Sequence, residues 1–156
     1  MKNSKLVLLV SVLLVALFSG CSTVPLEPKE VADQAKSFST PSEGNAGLYV
    51  YRDSFVGQAL KKDVFIDDKC LGETANGIFF YESIKGDMEH KLSTESEFSA
   101  NELSFKTNSG KNYYVRQYIK MGVFVGGAGL EEVDEKEAQE AISKLDMAKK
   151  GICGPK

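Results

Sequence analysis

Asp63-Val64-Phe65-Ile66-Asp67-Asp68-Lys69-Cys70-Leu71-Gly72-Glu73 is the stretch that decides the fold. Its first half is rich in β-branched and aromatic side chains, which suit a pleated, half-buried surface. Asp67-Asp68-Lys69 supplies turn chemistry, because a short carboxylate bonds nearby backbone and tolerates left-handed dihedrals. Cys70 to Glu73 then returns as a second short strand. Strand, turn and strand in this order predict a hairpin, and the same pattern recurs on both sides.

Upstream, Gly47 opens Leu48-Tyr49-Val50-Tyr51-Arg52, whose alternation separates Leu48 and Val50 from Tyr49 and Tyr51. Downstream, Gly77 precedes Ile78-Phe79-Phe80-Tyr81, and Lys85-Gly86-Asp87 marks a turn. Met88, His90 and Leu92 then share one face of a strand, with Glu89, Lys91 and Ser93 on the other. Leu103 and Phe105 alternate with Glu102, Ser104 and Lys106. Asn108-Ser109-Gly110-Lys111 is expected to close a hairpin into Asn112 to Lys120. Short strands with a turn about every eight to twelve residues predict a mainly β protein, a small antiparallel sandwich or barrel-like domain.

Near the C-terminus the period changes. Ala138, Ala141, Ile142, Leu145 and Ala148 recur at helical spacing. Asp134 with Glu137 three residues on starts that helix in the manner of a capping box, and Gly151 is its expected stop. One C-terminal α-helix covering a face or edge of the sheet follows.

The N-terminus carries an address. Lys2 and Lys5 precede an uncharged apolar run of thirteen residues, Leu6 to Phe18. As a helix that run spans roughly 20 Å, short of a ~30 Å hydrocarbon core, and suits a secretory signal better than a membrane span. Leu17-Phe18-Ser19-Gly20-Cys21 resembles a bacterial lipobox, with Phe18 where Leu is usual. That resemblance implies cleavage before Cys21 and lipidation of its thiol and amine. Two or three acyl chains make attachment effectively permanent. Ser22 rather than Asp follows the cysteine, which favours the outer membrane. Residues 1–20 thus read as a lipoprotein signal peptide, 21–46 as a lipidated tether holding three of the four prolines, and 47–156 as the β-rich domain. Within the tether, Pro28 to Lys36 has helical potential, with Val31 and Ala35 on one side.

Charge narrows the partners. The chain carries 19 basic and 22 acidic side chains, and losing Lys2 and Lys5 with the signal moves the net charge further below −3. An acidic chain without a basic run lacks the footprint of a nucleic-acid binder. Cys70 and Cys153 are left once Cys21 is lipidated. An oxidising compartment favours a disulfide between them, worth about 4.5 kcal/mol in the chain-entropy picture; two buried thiols are the alternative reading. Two distant cysteines and one histidine do not make a metal set, and no cofactor is expected.

The lipobox, Ala46 to Arg52 (AGLYVYR), Lys61 to Glu73 (KKDVFIDDKCLGE) and Gly110 to Gln117 (GKNYYVRQ) together resemble domain of unknown function 2846. The likeness covers about Gly47 to Val133. It implies a bacterial lipoprotein with no established activity. Val64 to Leu92 also resembles PEGA-type β-repeats of surface proteins, without their full signature, which supports only the β-fold.

No catalytic constellation stands out. His90 is the one histidine, on an apolar strand face where a satisfied core role outweighs that of a base. No G-x-S-x-G elbow occurs, and the Gly126-Gly127-Ala128-Gly129 run leads to Glu131 and Glu132 rather than into a helix N-terminus. Two stretches remain as contact candidates. Met121 to Leu130 is ten residues without a charge. It reads either as a buried strand or as an apolar loop presenting Phe124 to a partner or a membrane. Tyr114, Arg116 and Tyr118 share one face of their strand, which either stacks on sugar or peptide or packs beneath the terminal helix. The expectation is a non-enzymatic, lipid-anchored envelope protein of the outer membrane, facing the periplasm. It would bind a protein partner or, alternatively, a cell-wall or surface glycan.

Overall fold

The computed structural model describes residues 24–96, 98–123 and 126–154. The expected signal peptide, the expected lipidation at Cys21 and the candidate contact residue Phe124 lie outside the described residues. Those described form helix α1 (Lys29–Ala35), strands β1 (Asn45–Arg52), β2 (Lys62–Ile66), β3 (Lys69–Thr74), β4 (Ile78–Lys85), β5 (Glu89–Thr94), β6 (Asn101–Lys106), β7 (Asn112–Lys120) and β8 (Gly127–Glu132), helix α2 (Glu135–Ile142) and strand β9 (Asp146–Met147).

Two sheets stack face to face, one ordered β8-β7-β1-β4-β9 and the other β3-β2-β5-β6. Leu48, Val50, Phe80 and Val115 of the first meet Val64, Leu71, Leu92 and Phe105 of the second. Each large apolar side chain buried there contributes about 1.5–3 kcal/mol. Gly72 marks the closest approach, since a Cβ there would fall 2.5 Å from Phe80 Cζ. Amid this apolar layer, fully buried Gln117 on β7 links the sheets. Its amide donates to Thr94 Oγ1 at 2.7 Å and its carbonyl accepts from Thr74. A buried polar link of this kind fixes register, because any slip leaves unpaired groups.

The outer face of the five-stranded sheet is also covered. Tyr49, Tyr51, Phe79 and Tyr114 pack under Ala32 and Ala35 of α1 and Ala138 and Ile142 of α2. Both alternating sets of β1 are therefore buried.

The hairpin read first is present. Ile66 pairs with Lys69 across Asp67 and Asp68, whose φ angles of 48° and 63° are left-handed. Cys70 and Cys153 are joined by a disulfide. It holds the C-terminal segment along β3, where Gly151 N donates to Leu71 O and Glu73 N to Ile152 O.

Four expectations are corrected. β6 and β7 do not form a hairpin: β6 pairs with β5, whereas β7 lies parallel to β1 in the other sheet. The intervening turn hands the chain across, with Thr107 N bonded to Met88 O and Gly110 N to Asn45 O. The pairing is not wholly antiparallel, for β9 also runs parallel to β4. Helix α2 ends at Ile142, and Leu145 and Ala148 are buried beyond it; there Asp146 N and Ala148 N bond Gly77 O and Phe79 O of the sheet instead. Finally, residues 24–46 are not a free tether. Leu26 bridges Ala148, and α1 seats Ala32 and Ala35 on the sheet.

Candidate functional site

Loop 53–61 meets the end of β7 and Gly126 at one end of the sandwich, where β1 and β7 finish. A Cβ at Gly57 would fall 2.7 Å from Ile119 Cγ2, and one at Gly126 the same distance from Leu60 Cδ1. Phe55 on that loop is 89% exposed, and Met121, the first residue past β7, 87%. Val56 and Leu60 are exposed beside them, as is Val123. Soluble proteins rarely leave such residues clustered without a partner.

The loop bearing Phe55 is held from below by Arg52, the last residue of β1, whose exposure is 0%. Its Nη1 donates to Leu60 O at 2.7 Å and its Nη2 to Gly57 O at 2.5 Å. Nε has no hydrogen-bond partner among the described residues. Burial pushes the guanidinium pKa below its ordinary value. Burying a charge against carbonyls alone costs several kcal/mol. Phe55, Val56, Gly57 and Leu60 have no polar side chain with which to satisfy their own backbone. Arg52 provides the donors they lack. Leu60 N to Gly57 O and Ser54 Oγ to Val56 O complete the loop.

The aromatic strand face is built differently from an open platform. Tyr114 is buried beneath α2, accepting from Gln139 Nε2 at 2.8 Å, and burial raises its pKa. Arg116 is shared by Glu131 of β8 at 2.8 Å and Glu137 of α2 at 3.3 Å. The Glu131 bond raises its pKa. Neighbouring Tyr51 is fully buried, its hydroxyl without a partner among the described residues, and burial lifts its pKa to about 12. Arg116 and Tyr118 are partly open, the Tyr118 ring over Gly129 and under Lys120 Nζ at 5.5 Å. The three candidates share a face as expected, but helix α2 and its acids occupy the space above the first two.

His90 is a satisfied buried histidine. Nδ1 lies 2.7 Å from Asp67 Oδ2 and Nε2 2.8 Å from Lys85 O. Asp67 also accepts from Lys91 N at 3.0 Å. Burial alone would raise the Asp67 pKa, but the bonds from Lys91 and His90 outweigh it and hold the carboxyl below its ordinary value. The pair serves to dock the Asp67-Asp68 turn onto β5. Among the described residues, no three His, Cys, Asp or Glu side chains converge as a metal set. A cavity of about 280 Å³ under α1 is lined by Gln34, Ser39, Tyr49, Tyr81 and apolar neighbours, with no acid or imidazole.

Sequence reasoning missed Arg52, Phe55 and Leu60. Isolated apolar residues in a loop have no period, and an arginine ending a strand reads as an ordinary polar exit.

Residues 42–128 match the family described as "Protein of unknown function (DUF2846)". The match takes in both apolar loops and all strands from β1 to β7. An uncharacterized protein of Haemophilus influenzae is 61% identical over 132 residues, covering 85% of this chain and 78% of that protein.

Proposed function

The chain belongs to the DUF2846 family, and from that premise we propose that it is a lipid-anchored envelope protein whose β-domain binds a protein partner through its apolar end. The observation that carries this reading is the near-complete exposure of Phe55, on a loop fixed by a buried arginine, and of Met121 just past the end of β7. A fixed apolar surface loses little conformational entropy on binding, which favours affinity. Lipidation at Cys21, as the lipobox implies, would confine the domain to a membrane plane and raise its effective concentration toward a partner there. The absence of Asp after the cysteine supports the outer membrane and a periplasm-facing domain.

A binding role also suits the chemistry of the polar groups. Both His90 nitrogens are engaged, and Arg116 is neutralised by two glutamates. The glycan-binding alternative has less support, because Tyr114 lies beneath α2 and leaves Tyr118 without its second ring.

A photo-crosslinking residue placed at Phe55 and, separately, at Met121 tests this reading in living cells. A discrete protein adduct at the same added mass from both positions is expected. Adducts to wall glycan, or no adduct from either position, would overturn it.

A further inference from the structure

Val24 is 5% exposed and packs in the core between the sheets. From there the chain runs antiparallel to the segment after β9. Lys149 N donates to Pro25 O at 2.8 Å, Leu26 bridges Ala148, and Glu27 N donates to Met147 O at 2.8 Å. β9 lies parallel to β4, and Ala148 N donates to Phe79 O. Going backward from Glu27 to Val24 therefore follows β4 from Ile78 toward Lys85. Ile78 pairs with Arg52 and Lys85 with Asn45, so this direction leads away from the apolar end. By strand rise, Val24 sits roughly 13 Å below the level of Arg52.

Cys21 is three residues upstream of Val24. Three residues span at most about 11 Å. A lipid on Cys21 is thus joined to a buried core residue by a stub too short to lift the domain. Whatever surrounds Val24 must meet the bilayer. That surface is the edge where the chain crosses from β9 to β3. It exposes Leu26 at 43% and Ile152 at 46%, with Lys149 and Lys150 exposed between them. Lys150 also reaches Glu82 at 2.7 Å. Aliphatic side chains flanked by ammonium groups suit the boundary between acyl chains and phosphates.

We propose that the edge formed by residues 24–27 and 149–152, a flank of the sandwich, rests on the phospholipid surface, with the Phe55 and Met121 side chains held clear of that contact. The inference relies on the lipidation reading above. It makes the domain a surface-seated body with a fixed orientation, and assigns its apolar end to a partner rather than to the anchoring membrane.

The chain contains no tryptophan, so a single introduced one reports its own surroundings. Leu26→Trp, Ile152→Trp and Phe55→Trp would each be made in the full lipidated protein. Each would be reconstituted into phosphatidylethanolamine–phosphatidylglycerol vesicles carrying spin-labelled acyl chains. Quenching at Leu26→Trp and Ile152→Trp at least about twofold stronger than at Phe55→Trp is expected for residues at the interface. Equal or stronger quenching at Phe55→Trp, or none at any position, would overturn the orientation. Intact mass is measured on the same samples. Protein without the acyl mass would instead refute the anchor reading, and this inference would fall with it.

Discussion

The two ends of the sandwich close by different means. At the end away from Phe55, the turns satisfy one another. The Thr107 hydroxyl lies 3.1 Å from Lys85 O and 3.0 Å from Met88 O, and Gly86 N donates to Gly44 O. Asp87 accepts from the Ser109 hydroxyl at 2.5 Å and from Ser109 N at 3.0 Å. Those bonds, the hydroxyl one first, hold the Asp87 carboxyl below its ordinary pKa. At the opposite end Phe55, Val56, Gly57 and Leu60 have no polar side chains, and Ser54 Oγ to Val56 O is a local side-chain bond in their loop. A buried arginine supplies the donors to Gly57 O and Leu60 O. Local polar residues suffice where a turn only has to close a fold. At the apolar end a buried charge holds the loop under exposed apolar side chains.

The largest effect is expected from the element that should act on both ends alike. Cys70→Ser with Cys153→Ser should lower unfolding free energy by about 4 kcal/mol in urea titrations, leaving the contrast between the ends intact. A loss confined to one end would break the symmetry assumed here. Arg52→Met comes next. It keeps much of the volume but leaves the Leu60 carbonyl unpaired and the Gly57 carbonyl with the Leu60 amide alone, a loss of about 1–3 kcal/mol by thermal melting. Near-neutral stability would show that the guanidinium is not the clamp.

At the polar end, the sign of the pH dependence follows from Asp67. Its folded pKa is depressed, so its contribution is present above about pH 4 and is lost as pH falls through the lower folded value. The Tm gap between wild type and Asp67→Asn should therefore narrow between about pH 6 and pH 3. A gap that stays constant would mean that the ionised carboxylate is not what docks the turn. The smallest effect belongs to the apolar surface itself. Phe55→Ser combined with Met121→Ser should leave stability within about 0.5 kcal/mol of wild type while abolishing protein adducts from a crosslinker at Val56.

Much of the fold is legible from two-residue alternation, as Asp63 to Glu73 and Asn112 to Lys120 demonstrate. The sheet switch after β6 is not, because Asn108-Ser109-Gly110 is equally good chemistry for a hairpin and for a crossover. Leu145 and Ala148 keep helical spacing by coincidence, being buried for the sake of sheet bonds. Helix α1 offers only two alanines to its neighbours, too weak a stripe to signal docking, yet small enough to sit close on the sheet. For Cys70 and Cys153 the sequence leaves bridge and buried thiols both open, because it does not give their separation in space. Alternation separated Tyr114 from Tyr113 without saying that both faces of this sheet are covered. The apolar end left no period to read at all.

The account depends most on the apolar end being a formed surface. Amide hydrogen exchange reads this in one sample, at Leu60 N–H bonded to Gly57 O and at Thr107 N–H bonded to Met88 O, each at 2.9 Å. Both amides should be protected in the wild type, and Arg52→Met should release Leu60 while Thr107 stays protected. If Leu60 exchanges at the free-peptide rate in the wild type, Phe55 is carried by an unformed loop and the contrast between the two ends is wrong.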